Sequence, residues 1–176
     1  IVSSYGTNEE LALAKQIIES AEIKAVFTKT DRVWSDSTGE VKSDNLLITE
    51  DKSPNMGGVK KTFPNAKDIS DLIISDYKYA FVWGPNATME KMDGLHLIAL
   101  SAISDQVFEK ASWSIAGRIS TEKHGSFTNI DGIVQPFRRA VKGDNNFDEL
   151  LFFVDILKGL NVQPIGRTVE EVRKAL

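Results

Sequence analysis

Few side chains in this sequence are placed to do chemistry, and each has a plainer use beside it. Glu122 and Asp131 flank turn glycines and form a pair of carboxylates of the kind used in general acid–base work. No second signal supports catalysis there, so a structural role is the better reading. Gly6-Thr7-Asn8 lies where a strand meets a helix, and backbone N–H groups at a helix start can hold a phosphate. Neither glycine-rich nucleotide fingerprint is present, and a simply capped helix explains the same residues. Gly84-Pro85-Asn86 ends an apolar strand, where open α/β sheets bind ligands, yet the tripeptide is also an ordinary turn former. Thr7, Asn8, Gly84 and Asn86 are therefore the candidate residues of a ligand groove. Of the two histidines, His124 reads as an exposed loop residue and His96 as a hydrogen-bonded structural residue of an apolar strand. Arg138, Arg139 and Lys142 beside Phe137 read as a solvated strand edge, with contact to an acidic neighbour as the functional alternative.

Composition removes many chemistries. The 176 residues contain no cysteine, which excludes disulfides, thiolate nucleophiles and cysteine-ligated clusters within this chain. The net charge of −4 comes without a dense basic cluster, so binding to nucleic acid or an anionic membrane is not suggested. No apolar run approaches the roughly 20 residues needed to span a bilayer. The chain opens at Ile1 without methionine and enters a strand at once, as an excerpt of a longer polypeptide would.

The elements that must position these residues follow from periodicity and punctuation. Residues 1–6 read as a short strand and turn. Thr7 to Glu10 form a capping box for a helix over 8–20 with Leu11, Ala14, Ile17, Ile18 and Ala21 inward. A strand is expected at 24–28, a polar loop or hairpin over 29–44, a strand at 45–49 and an irregular stretch at 51–58. A helix is expected over 66–75, facing inward with Ile69, Leu72 and Ile73, then a strand ending at Gly84. A short helix at 88–92, a strand at 95–101, a helix from 104 and a strand at 112–117 continue the alternation. Continuous apolar strands alternating with helices predict an α/β domain, Rossmann-like and three-layered, with a mainly parallel sheet. Residues 1–117 form that core, 118–145 an extended segment turning at 130–132, and 146–176 two helices. Asn146 and Glu149 are expected to cap the first of these, 147–160, which is apolar enough to be buried on both sides. Thr168 and Glu171 form a capping box for the second.

The segment EKHGSFTNIDGIVQ, residues 122–135, resembles a signature of molybdopterin-type oxidoreductases. The same signature occurs in the related large iron–sulfur subunit of bacterial NADH:quinone oxidoreductase, respiratory complex I. It has the form E-x-x-G-T-F-x-N-x-E-G-R-x-Q. Glu122, Gly125, Phe127, Asn129, Gly132 and Gln135 match, while Ser126, Asp131 and Ile133 depart. Other landmarks are similar and fall in the family's order. SSYGTNEE at 3–10 fits S-x-x-x-T-N-E-E, and NLLITEDKSPNMGG at 45–58 contains a D-K-x-P-N-x-x-G segment. YAFVWGPN at 79–86 and LIALSAISDQVFEKASWSIAG at 97–117 follow. The closing TVEEVRKAL is closer to the tail of the complex I subunit than to that of formate dehydrogenases.

The resemblance implies a degenerate, cofactor-free molybdopterin-oxidoreductase-like domain. Only about 40 residues separate Glu10 from Asp51, where pterin-holding members have a much longer stretch, and no cysteine is present as a metal ligand. Iron–sulfur clusters would belong to the missing part of the parent. Partners would be other domains of the same polypeptide and other subunits of the peripheral arm, at the cytoplasmic face of the membrane. The alternatives are a pterin-binding domain of a molybdenum or tungsten enzyme such as formate dehydrogenase, and a free-standing nucleotide-binding module.

Overall fold

The computed structural model describes residues 1–28, 35–36, 39–40, 53–85, 92–143 and 146–176. Helix α1 runs over Asn8–Ser20, as the capping box predicts: the Thr7 hydroxyl accepts the Glu10 N–H, and the Glu10 carboxylate accepts the Thr7 N–H. Strand β1, Phe27–Thr28, follows, and β2, Ser35–Asp36, pairs with β3, Gly39–Glu40, as an antiparallel hairpin. The expected strand at 45–49 and most of the helix at 88–92 lie outside the described residues.

Two local readings are corrected. Gly57-Gly58 reads as loop, yet helix α2 occupies Met56–Thr62. The glycines are there for close approach: a methyl group at 57 would sit 2.8 Å from the Thr128 carbonyl oxygen, and one at 58 would strike Asn8 and Asn55. The helix expected over 66–75 is absent. Residues Lys67–Asp68 are β4, followed by short 3-10 turns at Ile69–Asp71 and Ile74–Asp76. The Lys67 N–H bonds the Val26 carbonyl, and the Asp68 side chain accepts the Ser70 N–H, so local polar bonds compete successfully with a helix. Ile73, expected inside, is 61% exposed.

The sheet is parallel. Strands β5, Tyr79–Trp83, β6, His96–Ser101, and β7, Trp113–Ala116, pair in that order. Strands β1 and β4 pair separately, and Ile1–Val2 joins the two groups. Val2 N–H bonds the Phe27 carbonyl at 2.8 Å, and Trp83 N–H bonds the Ile1 carbonyl at 3.1 Å. Alternation along the strands sends Trp83 and Leu100 into one core with α1, and Val82, Leu97 and Ala99 into a second core with Val107 of α3, Gln106–Lys110. Both faces of this α/β sheet are thus covered, as continuous apolar strands require.

The carboxyl-terminal third builds outward. Strands β8, Gly125–Thr128, and β9, Val134–Phe137, form an antiparallel hairpin. Helix α4, Glu149–Gly159, is capped by Asp148, whose carboxylate accepts the Leu151 N–H, and not by the expected Asn146–Glu149 pair. Helix α5, Val169–Ala175, starts at Thr168, which accepts the Glu171 N–H; the Glu171 carboxylate accepts from Arg167 instead of Thr168.

Burial of α4 is one-sided, contrary to the reading of its apolar sequence. Leu150, Phe153, Val154 and Leu157 share one stripe and are buried, whereas Leu151, one residue out of phase, is 50% exposed. Leu151→Ala should therefore change stability by less than about 0.5 kcal/mol. Leu157→Ala, the same chemistry on the other face, should cost about 2–5 kcal/mol in urea titration. A second result is expected where α1 begins. Gly6 lies so close to the Trp83 ring that a methyl group would overlap it, and Trp83 is held edge-on to Phe153 at 4.9 Å. Gly6→Ala should lower stability by about 1–3 kcal/mol through overpacking, measured by the same titration.

Candidate functional site

Three segments far apart in sequence meet at the carboxyl ends of the central strands: the start of α1, the residues before α2, and the β8–β9 hairpin. Capping fixes the first, the Asn55 N–H to Ser4 carbonyl bond at 2.9 Å fixes the second, and the hairpin ladder fixes the third. Glu9, Thr7 and Asn55 are completely buried there, and Ser126 is nearly so.

Half of the junction is built on amide and hydroxyl side chains. Asn55 Nδ2 donates to the Gly6 carbonyl at 2.8 Å and to Asn8 Oδ1 at 3.1 Å, while Asn55 Oδ1 accepts the Thr128 N–H at 2.7 Å. Asn8 Nδ2 donates to Ser126 Oγ at 3.1 Å, and Asn8 Oδ1 accepts from Thr128 Oγ1 at 3.2 Å. Glu9 joins this network as an acceptor, taking the Ser126 N–H at 2.8 Å, Ser126 Oγ–H at 3.0 Å and Arg173 Nε at 2.8 Å. Because antiparallel pairing turns the N–H groups of Ser126 and Thr128 away from β9, the side chains of Glu9 and Asn55 act where a neighbouring strand would. Buried backbone donors need such partners.

The other half is charged. Lys123 Nζ lies 3.2 Å from Glu10 Oε2 and 3.0 Å from Glu149 Oε1, with all three side chains about 5% exposed or less. Glu149 Oε1 also accepts the Arg118 N–H at 3.1 Å, while its buried Oε2 has no hydrogen-bond partner among the described residues. Burial raises the Glu10 pKa to about 7 from 4.5; Lys123 opposes the shift and Glu149 adds to it. Burial pulls Lys123 down, but the two carboxylates outweigh it and hold the ammonium above its ordinary 10.5.

Of the candidate groove residues, Thr7 and Asn8 are inside this junction. Glu9 and Glu10 place carboxylates at the start of α1, where the helix dipole favours anions, so the chain itself supplies the negative charge a phosphate would bring. Gly84 takes a positive φ of 89° and its N–H bonds the Leu100 carbonyl at 2.7 Å. Asn86 lies outside the described residues. Glu122 accepts the Ile119 N–H at 3.2 Å and so closes a local turn, and Asp131 is exposed in the hairpin turn. His124 is an exposed residue 3.7 Å from Glu170. His96 is exposed and stacked on Tyr79 at 5.3 Å, where a hydrogen-bonded structural residue was expected. Arg138, Arg139 and Lys142 are exposed at the hairpin.

Sequence reasoning did not find Asn55, Lys123 or Glu149 as members of a site. The available signal for Glu149 was its place in the first turn of the most apolar helix, where a charge must face something. Lys123 gave no such signal, since one lysine in a polar run reads as solvated.

A second feature lies at the opposite end of the sheet. A mostly apolar cleft of about 820 Å³ is lined by Ile17 and Ile18 of α1, Phe81 and Ile98 of the sheet, and Phe153 and Ile156 of α4. Next to it Tyr79 and Trp113 are each 73% exposed. Among the described residues no group of three His, Cys, Asp or Glu side chains is arranged to hold a metal ion. Among them, too, no helix is long and apolar enough to cross a membrane. Comparison of the chain with known protein families, curated proteins and solved structures returned no match.

Proposed function

We propose that this chain is a structural domain of a shortened large iron–sulfur subunit of a bacterial NADH:quinone oxidoreductase, resident in the peripheral arm at the cytoplasmic face of the membrane. In that role it supports electron transfer from NADH to quinone by packing against cluster-bearing domains and neighbouring subunits, and the iron–sulfur clusters are held outside this chain. One observation carries the reading. The landmark segments at 3–10 and 122–135 and residues 53–58 of the one between them, which resemble the family in order, converge on one junction, where Asn8, Glu9, Asn55, Ser126 and Thr128 bond one another. Residues engaged in that way serve the frame of the domain. The apolar cleft and the exposed Leu151, Tyr79 and Trp113 give the domain surface suited to burial against other protein.

The test is chemical assay of the assembly that contains this chain, purified from its native membrane. Iron, acid-labile sulfide and NADH-dependent quinone reduction are expected, without molybdenum, tungsten or pterin fluorescence. Stoichiometric molybdenum or tungsten with pterin would overturn the proposal in favour of a pterin-binding oxidoreductase such as formate dehydrogenase. If instead the chain purifies alone and its melting temperature rises with a nucleotide, the free-standing nucleotide-binding module replaces it.

A further inference from the structure

Among the described residues the charged half of the junction does not balance. Within the triad two carboxylates, Glu10 and Glu149, share the single ammonium of Lys123. The neighbouring cations have their own anions: Arg118 pairs with Asp148 at 3.1 Å and Arg173 with Glu9 at 2.8 Å. Among the described residues Glu149 Oε2 is buried without a hydrogen-bond partner, although Oε1 of the same carboxylate is held by Lys123 and the Arg118 N–H, so half of this carboxyl lacks the donors that a buried charge needs. The triad also sits where three elements join, with Glu10 on α1, Glu149 opening α4, and Lys123 two residues ahead of β8.

We infer that Glu10, Lys123 and Glu149 form a proton-operated latch, which holds the β8–β9 hairpin against α1 and α4 while one carboxyl is protonated and loosens it when that proton leaves. The proton comes from and returns to solvent. With it bound, one carboxylate faces one ammonium and the site is neutral. Without it, two anions face one cation in a dry site, and water can reach them only if the hairpin parts from α1. This inference stands independently of the function proposed above.

Charged groups face Glu10 from several elements. Among the described residues these are Lys123, ahead of β8, and Glu149, at the start of α4. The charges next to them in sequence are turned to other partners: Glu9 to Arg173 of α5, Glu122 to the Ile119 N–H, and Asp148 to Arg118. From the α2 side the junction receives the neutral Asn55. His124 and Glu170 form a separate surface pair, with side chains 50% and 66% exposed, and are controlled for by substitution.

Linkage sets the sign. A carboxyl whose folded pKa is raised from 4.5 to about 7 binds a proton that the unfolded chain releases, so its contribution is complete below 4.5 and is lost as pH rises to about 7. For one proton the opening equilibrium shifts by about tenfold per pH unit inside that window.

Amide hydrogen exchange at Ser126 and Thr128, read by NMR from pH 5 to 8.5 and corrected for intrinsic base catalysis, is the measurement. In the native sequence, protection at both amides should fall by up to about tenfold per pH unit until about pH 7, then level off. His124→Gln should keep that slope. Glu10→Gln and Glu149→Gln each remove the surplus carboxyl, and loss of the slope in either one supports the latch. An infrared band of a protonated buried carboxyl, present at pH 5.5 and gone at pH 8.5, should accompany it. Protection independent of pH in the native sequence, or a slope that survives in both glutamine variants, would overturn the inference.

Discussion

Lys123→Met should be the most damaging single substitution at the junction, costing about 3–5 kcal/mol at pH 8 in urea titration. The side chain is nearly isosteric, so the loss comes from charge and not from volume. Glu10 and Glu149 would keep their buried positions without the ammonium that lies 3.2 and 3.0 Å from them. A buried carboxylate without a counterion is unfavourable by several kcal/mol, and protonation is its only inexpensive relief. The defect should therefore shrink as pH falls toward 5, where the Glu10 carboxyl holds a proton. The triple variant Glu10→Gln, Lys123→Met, Glu149→Gln should recover much of the lost stability at pH 8, because no charge is left uncompensated. An equal loss at pH 5 and pH 8 would show that Lys123 acts through packing and that the electrostatic account is wrong.

Asn55→Ala is expected to rank second, at about 4 kcal/mol, through a different mechanism. The Asn55 amide is fully buried and completes the Gly6 carbonyl, the Asn8 amide and the Thr128 N–H. Truncation strands the Gly6 carbonyl and the Thr128 N–H away from water, while Asn8 keeps its bonds to Ser126 and Thr128, and each unpaired buried polar group costs about 1–3 kcal/mol. Asn55→Asp distinguishes hydrogen bonding from shape. It retains the size and the acceptor for Thr128 but loses the donor to Gly6 and Asn8, and it adds a charge without a cation. Asn55→Asp should thus be no better than alanine at pH 7. If alanine costs less than about 1 kcal/mol, water has entered to satisfy the orphaned groups and the junction is less dry than its geometry indicates.

How much of this was legible depends on whether the deciding interaction is local. The T-N-E-E box was readable because Thr7 and Glu10 cap each other within one turn, and α1 follows from Asn8 to Ser20 as expected. Strands β5, β6 and β7 were readable because a continuous apolar run bounded by turns has few other uses. The helix at Met56–Thr62 was not readable, because its two glycines signal a loop and are explained only by contact with Thr128 and Asn8. The stretch at 66–75 failed for a related reason. Its isoleucines have helical spacing, but Ser70 and Asp68 bond locally and Lys67 is drawn onto the edge of the sheet by Val26.

The class of the fold was set by local pattern: an α/β chain with a mainly parallel sheet, an amphipathic first helix, an extended segment turning at 130–132 and two closing helices. Period and capping act over a few residues, and nothing distant needs to be known to read them. Packing in three dimensions brought Asn8, Asn55 and Thr128 into one network and stripped Glu10, Lys123 and Glu149 of water together. It also decided that α4 would turn Leu151 outward and that an apolar cleft would remain at the amino ends of the strands. Burial is a property of position in space, and a charged or amide side chain reads the same in sequence whether it meets solvent or another side chain.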